Sequence, residues 1–306
     1  MDWNTLAQQI VSGVMTGSIY GVLALSLVMI FQSTQMFNFG QGEMATFTTY
    51  LGWAIMVHLP YGVGFVLAVL LAFLLGAALE RGLIRMVEGK PPMNAVIIGL
   101  GLFLAFNSVS GSIWGANPKA FKQPFTGGPI DVLGVLISRH NLYLFVVAIA
   151  LTAIVYILFQ HTKIGLAMRV TAYNRQAAEL MGVPTGLMLM LGWGLAAALG
   201  AAAGMLVAPI IVLSPGMMFT PLLFGFAAAV LGGLDSAPGA VIGGLIVGVT
   251  QNLVGVYLDD WVNLLHLPFD IKEPNQYRDI VAMALILGVL AIRPRGIFGR
   301  PAVQRV

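Results

Sequence analysis

Polar residues that could do chemistry gather in one short stretch of an otherwise apolar chain. Residues 32–43 read QSTQMFNFGQGE, so that Asn38 and Glu43 bracket glycines between a long apolar run and a short one. Irregular backbone at membrane depth is tolerated only where protein buries it or where it faces a water-filled cavity. The stretch therefore predicts either a cavity lining or a turn in which Asn38 and Glu43 cap helix-end amides.

A second polar stretch, residues 232–239, reads GGLDSAPG, which turn chemistry alone is enough to explain. Together the two stretches supply the candidate lining of a pathway through the protein. Its candidate residues are Asn38, Gly40, Gly42, Glu43, Gly232, Gly233, Asp235 and Ser236.

Enzyme chemistry finds no support in the remaining residues. The four histidines are not at metal-ligand spacing, and the chain has no cysteine, so we predict no catalytic residue and no metal ligand. Lys90 is followed by Pro91, so no phosphate-binding GxxxxGK[ST] loop occurs and ATP hydrolysis would need another subunit. Glu43 and Asp235 are predicted to lie at span ends, and the lack of a mid-span carboxylate argues against a proton-coupled carrier.

The composition places the chain in a lipid bilayer. Of 306 residues, 58% are hydrophobic and only 9% are charged, whereas soluble domains carry about 25% charged residues. The connections between apolar runs are too short to fold separately, so we expect one membrane domain over residues 1–306. A net charge of +3 gives no support for a nucleic-acid partner.

Nine apolar runs predict an all-α, polytopic helix bundle, since about 20 such residues cross the hydrocarbon core. The second, seventh and ninth runs are short and could be re-entrant or broken, which leaves a count of eight to ten membrane helices. The runs cover residues 10–31, 44–59, 63–79, 94–113, 142–159, 187–212, 220–234, 240–258 and 280–292.

The distribution of basic residues predicts the orientation. Ten of the fifteen Lys and Arg residues lie in residues 80–94, in residues 161–185 and in the C-terminal tail, which we assign to the cytoplasm. The other five lie in the two long connections 114–141 and 259–279, together with six of the twelve acidic residues, and we assign these connections to the outside. With nine spans, the N-terminus is then outside.

Small residues recur four apart in three of the apolar runs and predict close helix contacts. They serve either packing within the chain or a subunit interface. The sets are Gly13, Gly17 and Gly21; Ala196, Gly200 and Gly204; and Gly239 with Gly243 and Gly244 with Gly248. The two halves also share a long glycine-rich helix, a polar turn and a short helix, in residues 17–53 and 194–234, a pattern compatible with internal repeats.

The connection 161–185 is the main predicted element outside the membrane. Ala172, Ala177, Ala178 and Met181 would lie along one short amphipathic helix that ends near Gly182. Such a helix either docks into a groove on a partner or lies on the membrane surface.

Four ordered blocks of the sequence resemble permease subunits of branched-chain amino acid ABC transporters. The first is the long helix followed by Phe37–Met44, which is similar to an NF-x-x-GE signature, and the second is the cytoplasmic loop 163–183. The third is AAAVLGGLDSAPGAVIGG within residues 226–244, and the fourth is the ending RPRGIFGRP. The sequence departs from the family at Gly40-Gln41, where Ala-His is frequent, and at Asp235, where Gly is frequent.

The resemblance implies a type II-like importer permease in the bacterial inner membrane that moves branched-chain or related amino acids by alternating access. Its implied partners are two ATPase subunits that bind ATP and Mg, a second homologous or identical permease, and a periplasmic binding protein, while this chain binds no cofactor. A permease for urea or short amides, or a stand-alone channel or secondary carrier, remains an alternative. The residues implied to couple the chain to the ATPases are Lys163, Gly165, Arg169, Thr171, Ala172, Asn174, Arg175, Ala177, Ala178, Glu179 and Gly182.

Overall fold

The computed structural model describes residues 3–34, 36–87, 90–132, 134–264, 277–293 and 296–299. The connection 265–276 and the basic residues beyond 299 lie outside the described residues, so the orientation assigned from them is not tested. All nine predicted apolar runs coincide with helices. These are α1 Trp3–Thr34, α2 Gln41–His58, α3 Tyr61–Gly82, α4 Pro92–Trp114, α5 Arg139–His161, α8 Thr185–Ile211, α9 Phe219–Gly232, α10 Ala237–Leu264 and α11 Arg278–Ile292.

The remaining described elements are small. Two helices, α6 Lys163–Tyr173 and α7 Arg175–Leu180, follow α5, and a 3-10 turn covers Ile84–Met86. A two-stranded antiparallel ribbon, β1 Ile130–Val132 and β2 Val135–Ile137, lies in the connection before α5 and was not predicted from sequence. The fold is otherwise the predicted all-α bundle.

Six helices of the described chain are long and apolar enough to cross a membrane: α1, α3, α4, α5, α8 and α10. The other three apolar helices, α2, α9 and α11, are the ones whose runs were predicted to be short. Helices α1 and α8 form the buried centre of the bundle, whereas α3, α4 and α5 expose leucines such as Leu74 and Leu104. This exposed apolar surface suits contact with lipid, so the chain is a multi-pass membrane protein.

The two ends of the bundle can be told apart by their contacts. At one end, Arg85 donates to the carbonyl oxygen of Gly186 over 2.9 Å and so joins the end of α3 to the start of α8, which directly follows α6 and α7. At the other end, Gln8 donates to the carbonyl oxygen of Leu136 over 3.0 Å, and Lys119 pairs with Leu213. We call the first the basic end, because it collects Arg81, Arg85 and the basic residues of α6 and α7, and the second the opposite end.

The predicted small-residue faces pack against neighbouring helices of this chain. An ideal Cβ built on Gly17 of α1 would lie 2.6 Å from the carbonyl oxygen of Gly244 in α10, and one on Gly13 would lie 2.6 Å from Val249 Cα. In α8, a Cβ on Gly204 would clash with Thr49 of α2. These faces therefore serve packing within one chain, because neighbouring backbones already occupy the space where a side chain would stand.

Each half of the chain contains a short helix that begins near the middle of the bundle. Helix α2 begins where Gln41 donates to the carbonyl oxygen of Ala196 over 2.8 Å, about 17 Å along α8 from its first residue. Helix α9 begins at Phe219, whose ring lies 6.3 Å from that of Phe103 in mid-α4. From there α2 runs to the opposite end and α9 to the basic end, as in an inverted repeat. The predicted likeness of the two halves corresponds to this arrangement.

Candidate functional site

The predicted polar stretch 32–43 is buried at the start of α2. Asn38 accepts a hydrogen bond on Oδ1 from the backbone amide of Gly40 over 3.0 Å, so it acts as the turn residue that one of the two interpretations predicted. Its Nδ2 donates to Gln41 Oε1 over 3.3 Å, and Gln41 in turn bonds to α8. These contacts fix the depth at which α2 begins.

Glu43 occupies the first turn of α2 and is only 1% exposed. Its Oε2 accepts a hydrogen bond from Asn107 Nδ2 of α4 over 3.2 Å. Its Oε1 is buried without a hydrogen-bond partner among the described residues. An ideal Cβ on Gly216, in the connection between α8 and α9, would lie 3.8 Å from that oxygen. The carboxyl group therefore sits where α2, α4 and the α8–α9 connection meet.

Glu43 lies at a helix end, as predicted, but this helix end is in the middle of the bundle and not at its edge. Helix α2 begins beside Ala196 and Gly200, near the middle of α8. The carboxyl group of Glu43 is therefore at membrane depth, and the argument against proton coupling no longer follows from the position of this residue.

Asp235 lies as predicted in an exposed turn between α9 and α10.

A cavity of about 350 Å³ borders Glu43. Its wall consists of Gly42 and Glu43 from α2, leucines from α4 and α9, and four phenylalanine rings. The rings belong to Phe39, Phe103, Phe219 and Phe226. Gly42 and Glu43 are thus the predicted pathway residues that line a cavity, whereas Gly40 packs against Leu102 of α4 and Asn38 shapes the turn.

The second predicted stretch, residues 232–236, lies away from this cavity at the basic end. Gly232 and Gly239 are in backbone contact, and Ser236 Oγ accepts from the amide of Gly239 over 3.1 Å. The amides of Ile297 and Phe298 donate to the carbonyl oxygens of Leu231 and Gly232 over 2.8 and 3.1 Å. Gly233 adopts φ +100°. The stretch is a tight turn that is hydrogen-bonded to residues 297 and 298, and it does not line the cavity beside Glu43.

The connection after α5 forms two helices rather than the single helix that was predicted. Asn174 breaks the segment, and its Oδ1 accepts from the amide of Ala177 over 3.0 Å to cap α7. Asn competes with the helix by bonding to nearby backbone, which explains the break. Gly182, at φ +78°, ends α7 as predicted.

The eleven predicted coupling residues divide by exposure. Gly165, Thr171 and Ala178 are buried within the chain, and Arg169 donates to Gln160 Oε1 over 3.1 Å. Lys163, Asn174, Glu179 and Gly182 are exposed, while Ala172, Arg175 and Ala177 are half-buried. The most exposed apolar side chains of the segment are Tyr173, Leu180 and Met181, at 84, 90 and 65% exposed. Met181 was part of the predicted apolar helix face, whereas Tyr173 and Leu180 were not predicted. Their apolar character beyond the end of the hydrophobic runs was the available signal.

Polar contacts connect α7 to the membrane helices. Glu179 Oε1 accepts from Thr185 Oγ1 over 2.8 Å and from Arg175 Nε over 3.0 Å, which joins α7 to the first residue of α8. One residue further, the carbonyl oxygen of Gly186 accepts from Arg85, which also pairs with the buried Glu80 of α3 at 3.1 Å. Displacement of α7 can therefore reach both α8 and α3.

We expect acid to loosen α7. The hydrogen bond from Thr185, and then that from Arg175, hold the pKa of Glu179 below its ordinary value. A lowered folded pKa stabilises the folded state above the unfolded pKa of about 4.3, and this stabilisation is lost as pH falls through the folded pKa. At neutral pH, the backbone amides of residues 175–182 should therefore exchange faster in the Glu179→Gln variant than in the parent. The difference should vanish in acid; a difference that persists there would contradict the contact.

Among the described residues, no group of three or more His, Cys, Asp or Glu side chains could hold a metal ion.

Residues 9–290 match the protein family described as "Branched-chain amino acid transport system / permease component". The chain belongs to this permease family.

The permease is similar along nearly its whole length to curated relatives. It is 31% identical to the high-affinity branched-chain amino acid transport system permease protein LivH of Salmonella typhimurium, covering 98% of this chain and 97% of the relative. It is 30% identical to the corresponding protein BraD of Pseudomonas aeruginosa, with the same coverage. These relatives are transport permeases, so the permease is a transport component and not an enzyme, as the sequence predicted.

A solved structure is also similar to the permease. A chain of PsaBC from Streptococcus pneumoniae, in complex with Fab, aligns with 94% of this permease and 92% of its own length, at 12% identity and a TM-score of 0.48.

Proposed function

We propose that this permease carries branched-chain or related amino acids into a bacterial cell across the inner membrane, as the membrane-spanning subunit of an ATP-driven importer. The observation that carries the proposal is the family match over residues 9–290, together with relatives named for branched-chain amino acid transport. The cavity beside Glu43, where the starts of α2 and α9 meet, supports a pathway at membrane depth.

The proposed importer contains two ATPase subunits, a second permease and a periplasmic substrate-binding protein. The ATPases hold ATP and Mg²⁺, and this chain binds no cofactor. Docking to an ATPase falls to α6 and α7, because Tyr173, Leu180 and Met181 present an apolar surface beyond the membrane helices. The basic end then faces the cytoplasm, in agreement with the charge distribution.

Alternating access requires the ATPase to contact α7 differently in the inward-open and outward-open states, because equal contacts shift no equilibrium. The hydrogen bond from Thr185 to Glu179 connects α7 to α8, and the one from Arg85 to Gly186 connects α8 to the end of α3. Helix α8 in turn packs on α2, which carries Glu43. A movement of α7 thus has a continuous route to the cavity.

The proposal is tested by the proteins that accompany the permease and by the energy source of uptake. Purification in mild detergent from native membranes should recover an ATPase subunit, and cells lacking the permease should lose uptake of labelled leucine but keep uptake of labelled urea. Leucine uptake that continues after ATP depletion, while the proton gradient is maintained, would instead show a secondary carrier. Loss of urea uptake alone would show that the permease transports urea or short amides.

A further inference from the structure

The cavity at the start of α2 combines an apolar wall with one acidic group. Phe39, Phe103 and Phe226 contribute rings, and Leu222 contributes an aliphatic side chain, whereas Glu43 supplies the carboxyl group. A volume of about 350 Å³ falls in the range of small-molecule sites. Sites of this kind bind an apolar ligand body and orient it with a few polar groups.

The carboxyl group of Glu43 has unused hydrogen-bonding capacity. Asn107 donates to Oε2, whereas Oε1 is buried beside the backbone of Gly216 without a hydrogen bond of ordinary length to any described residue. A buried acceptor without a donor costs free energy, which a bound donor would recover. A cationic donor suits a carboxylate best, because charge-assisted hydrogen bonds are the stronger ones.

Two helix N-termini border the same cavity. Helix α2 begins at Gln41 and α9 at Phe219, and neither start has a side-chain cap in the described structure. The two starts are close together, since a Cβ on Gly42 would be 3.2 Å from the carbonyl oxygen of Met218, the residue before α9. Helix N-termini carry positive partial charge and favour anions. In the first turn of α9 the amides of Phe219 and Leu222 donate to backbone oxygens and Pro221 has no N–H, which leaves the amide of Thr220 for an anion. The cavity thus offers a carboxylate and a positive helix end beside one apolar wall.

This combination matches a zwitterion with an aliphatic side chain. An ammonium group would bond to Glu43, a ligand carboxylate would face the N-terminus of α9, and the side chain would pack among the phenylalanine rings. A fatty acid would leave Glu43 unpaired, and an alkylamine would leave the helix N-terminus unused. An aliphatic amino acid satisfies all three surfaces.

We propose that Glu43 binds the α-ammonium group of the transported amino acid inside the permease. The inference rests on the proposed function and adds to it a recognition site within the membrane pathway. The permease would then itself recognise the ammonium group of the substrate after the binding protein has delivered it.

The natural absence of cysteine allows this site to be probed with single thiols. Leu100 of α4 lines the cavity and is 50% exposed, so Leu100→Cys should react with N-ethylmaleimide in the purified permease. Leu104, one turn further along α4 and 63% exposed, is not among the lining residues, so Leu104→Cys is the matched control. The ligands are leucine and 4-methylpentanoate, which has the same side chain and carboxylate but no amino group.

Leucine should slow labelling of Leu100→Cys at least about threefold, and 4-methylpentanoate at equal concentration should leave it unchanged. Adding Glu43→Gln should raise the leucine concentration for half-protection on the order of tenfold or more, with Glu43→Asp restoring most of the protection. Labelling of Leu104→Cys should not respond to either ligand. The comparison of the two ligands needs no Glu43 variant and stands even where Glu43→Gln fails to fold.

Equal protection by leucine and 4-methylpentanoate, or an unchanged half-protective concentration in Glu43→Gln, would overturn the site. Leucine uptake by the parent complex is measured beside it. Intact uptake with no ammonium-dependent protection refutes this site alone, whereas absence of ATP-dependent leucine uptake refutes the proposed function.

Discussion

A permease carrying Leu180→Asp should insert and fold but import leucine at least about tenfold more slowly than the parent. Leu180 is 90% exposed on α7, so the substitution removes no packing within the chain. Burial of a leucine side chain against a partner is worth roughly 1.5–3 kcal/mol, which corresponds to one or two decades in affinity. An aspartate at this position would lose that contribution and add the desolvation cost of a charge.

The measurements are uptake in cells and the amount of ATPase that copurifies with the permease. Leu180→Met, which preserves the apolar character, is the matched control and should retain both. Unchanged uptake and unchanged copurification in Leu180→Asp would remove α7 from the docking surface. Loss of membrane insertion in that variant would show that Leu180 has a role in folding that its exposure does not reveal.

Gly17→Val should destabilise the permease strongly, lowering its melting temperature in detergent by about 10 °C or preventing its accumulation. A Cβ on Gly17 would lie 2.6 Å from the carbonyl oxygen of Gly244 and 2.8 Å from Leu245 Cα. Because both neighbours are backbone atoms, no side-chain rotation relieves the clash, and α1 and α10 must separate. Overpacking of this kind costs about 1–3 kcal/mol or more, and each kcal/mol lowers the melting temperature by about 2–4 °C in domains of 150–250 residues.

Gly111→Val provides the matched control, because an ideal Cβ on Gly111 meets nothing within 4 Å in the described structure. This variant should melt within a few degrees of the parent. A similar loss in both variants would show that valine disturbs any helical glycine here. Normal stability of Gly17→Val would show that the two helices tolerate a wider separation than the structure has.

Much of the architecture was predictable because membrane burial acts on composition. All nine apolar runs are helices, and the small-residue sets in α1, α8 and α10 do mark close helix contacts. Asn38 and Gly182 adopt the local roles that their side-chain chemistry suggested. These features depend on neighbours in sequence or on the bilayer, both of which can be inferred from the chain itself.

The position of Glu43 could not be predicted in this way. The length of an apolar run gives the extent of a helix but not the depth at which it starts, and that depth depends on long-range contacts such as the one between Gln41 and Ala196. The partner of Glu43 is Asn107, 64 residues further along the chain. The break at Asn174 was missed because the alanines on both sides of it fit one helical period. Asn174 nevertheless ends the first helix and caps a second one.

The starts of α2 and α9 in mid-bundle have a consequence for biosynthesis. Helix α9 has 14 residues, about 21 Å in length, too short to span the hydrocarbon core alone. The insertion machinery favours segments of about 20 apolar residues, so α9 requires other helices as partners in order to enter the bilayer. In the bundle α9 packs on α1, which is synthesised before it, and on α10, which is synthesised directly after it. Helix α2 packs on α3, α4 and α8, all of which follow it in the chain. Each short helix therefore reaches its packed position only after later helices have left the ribosome.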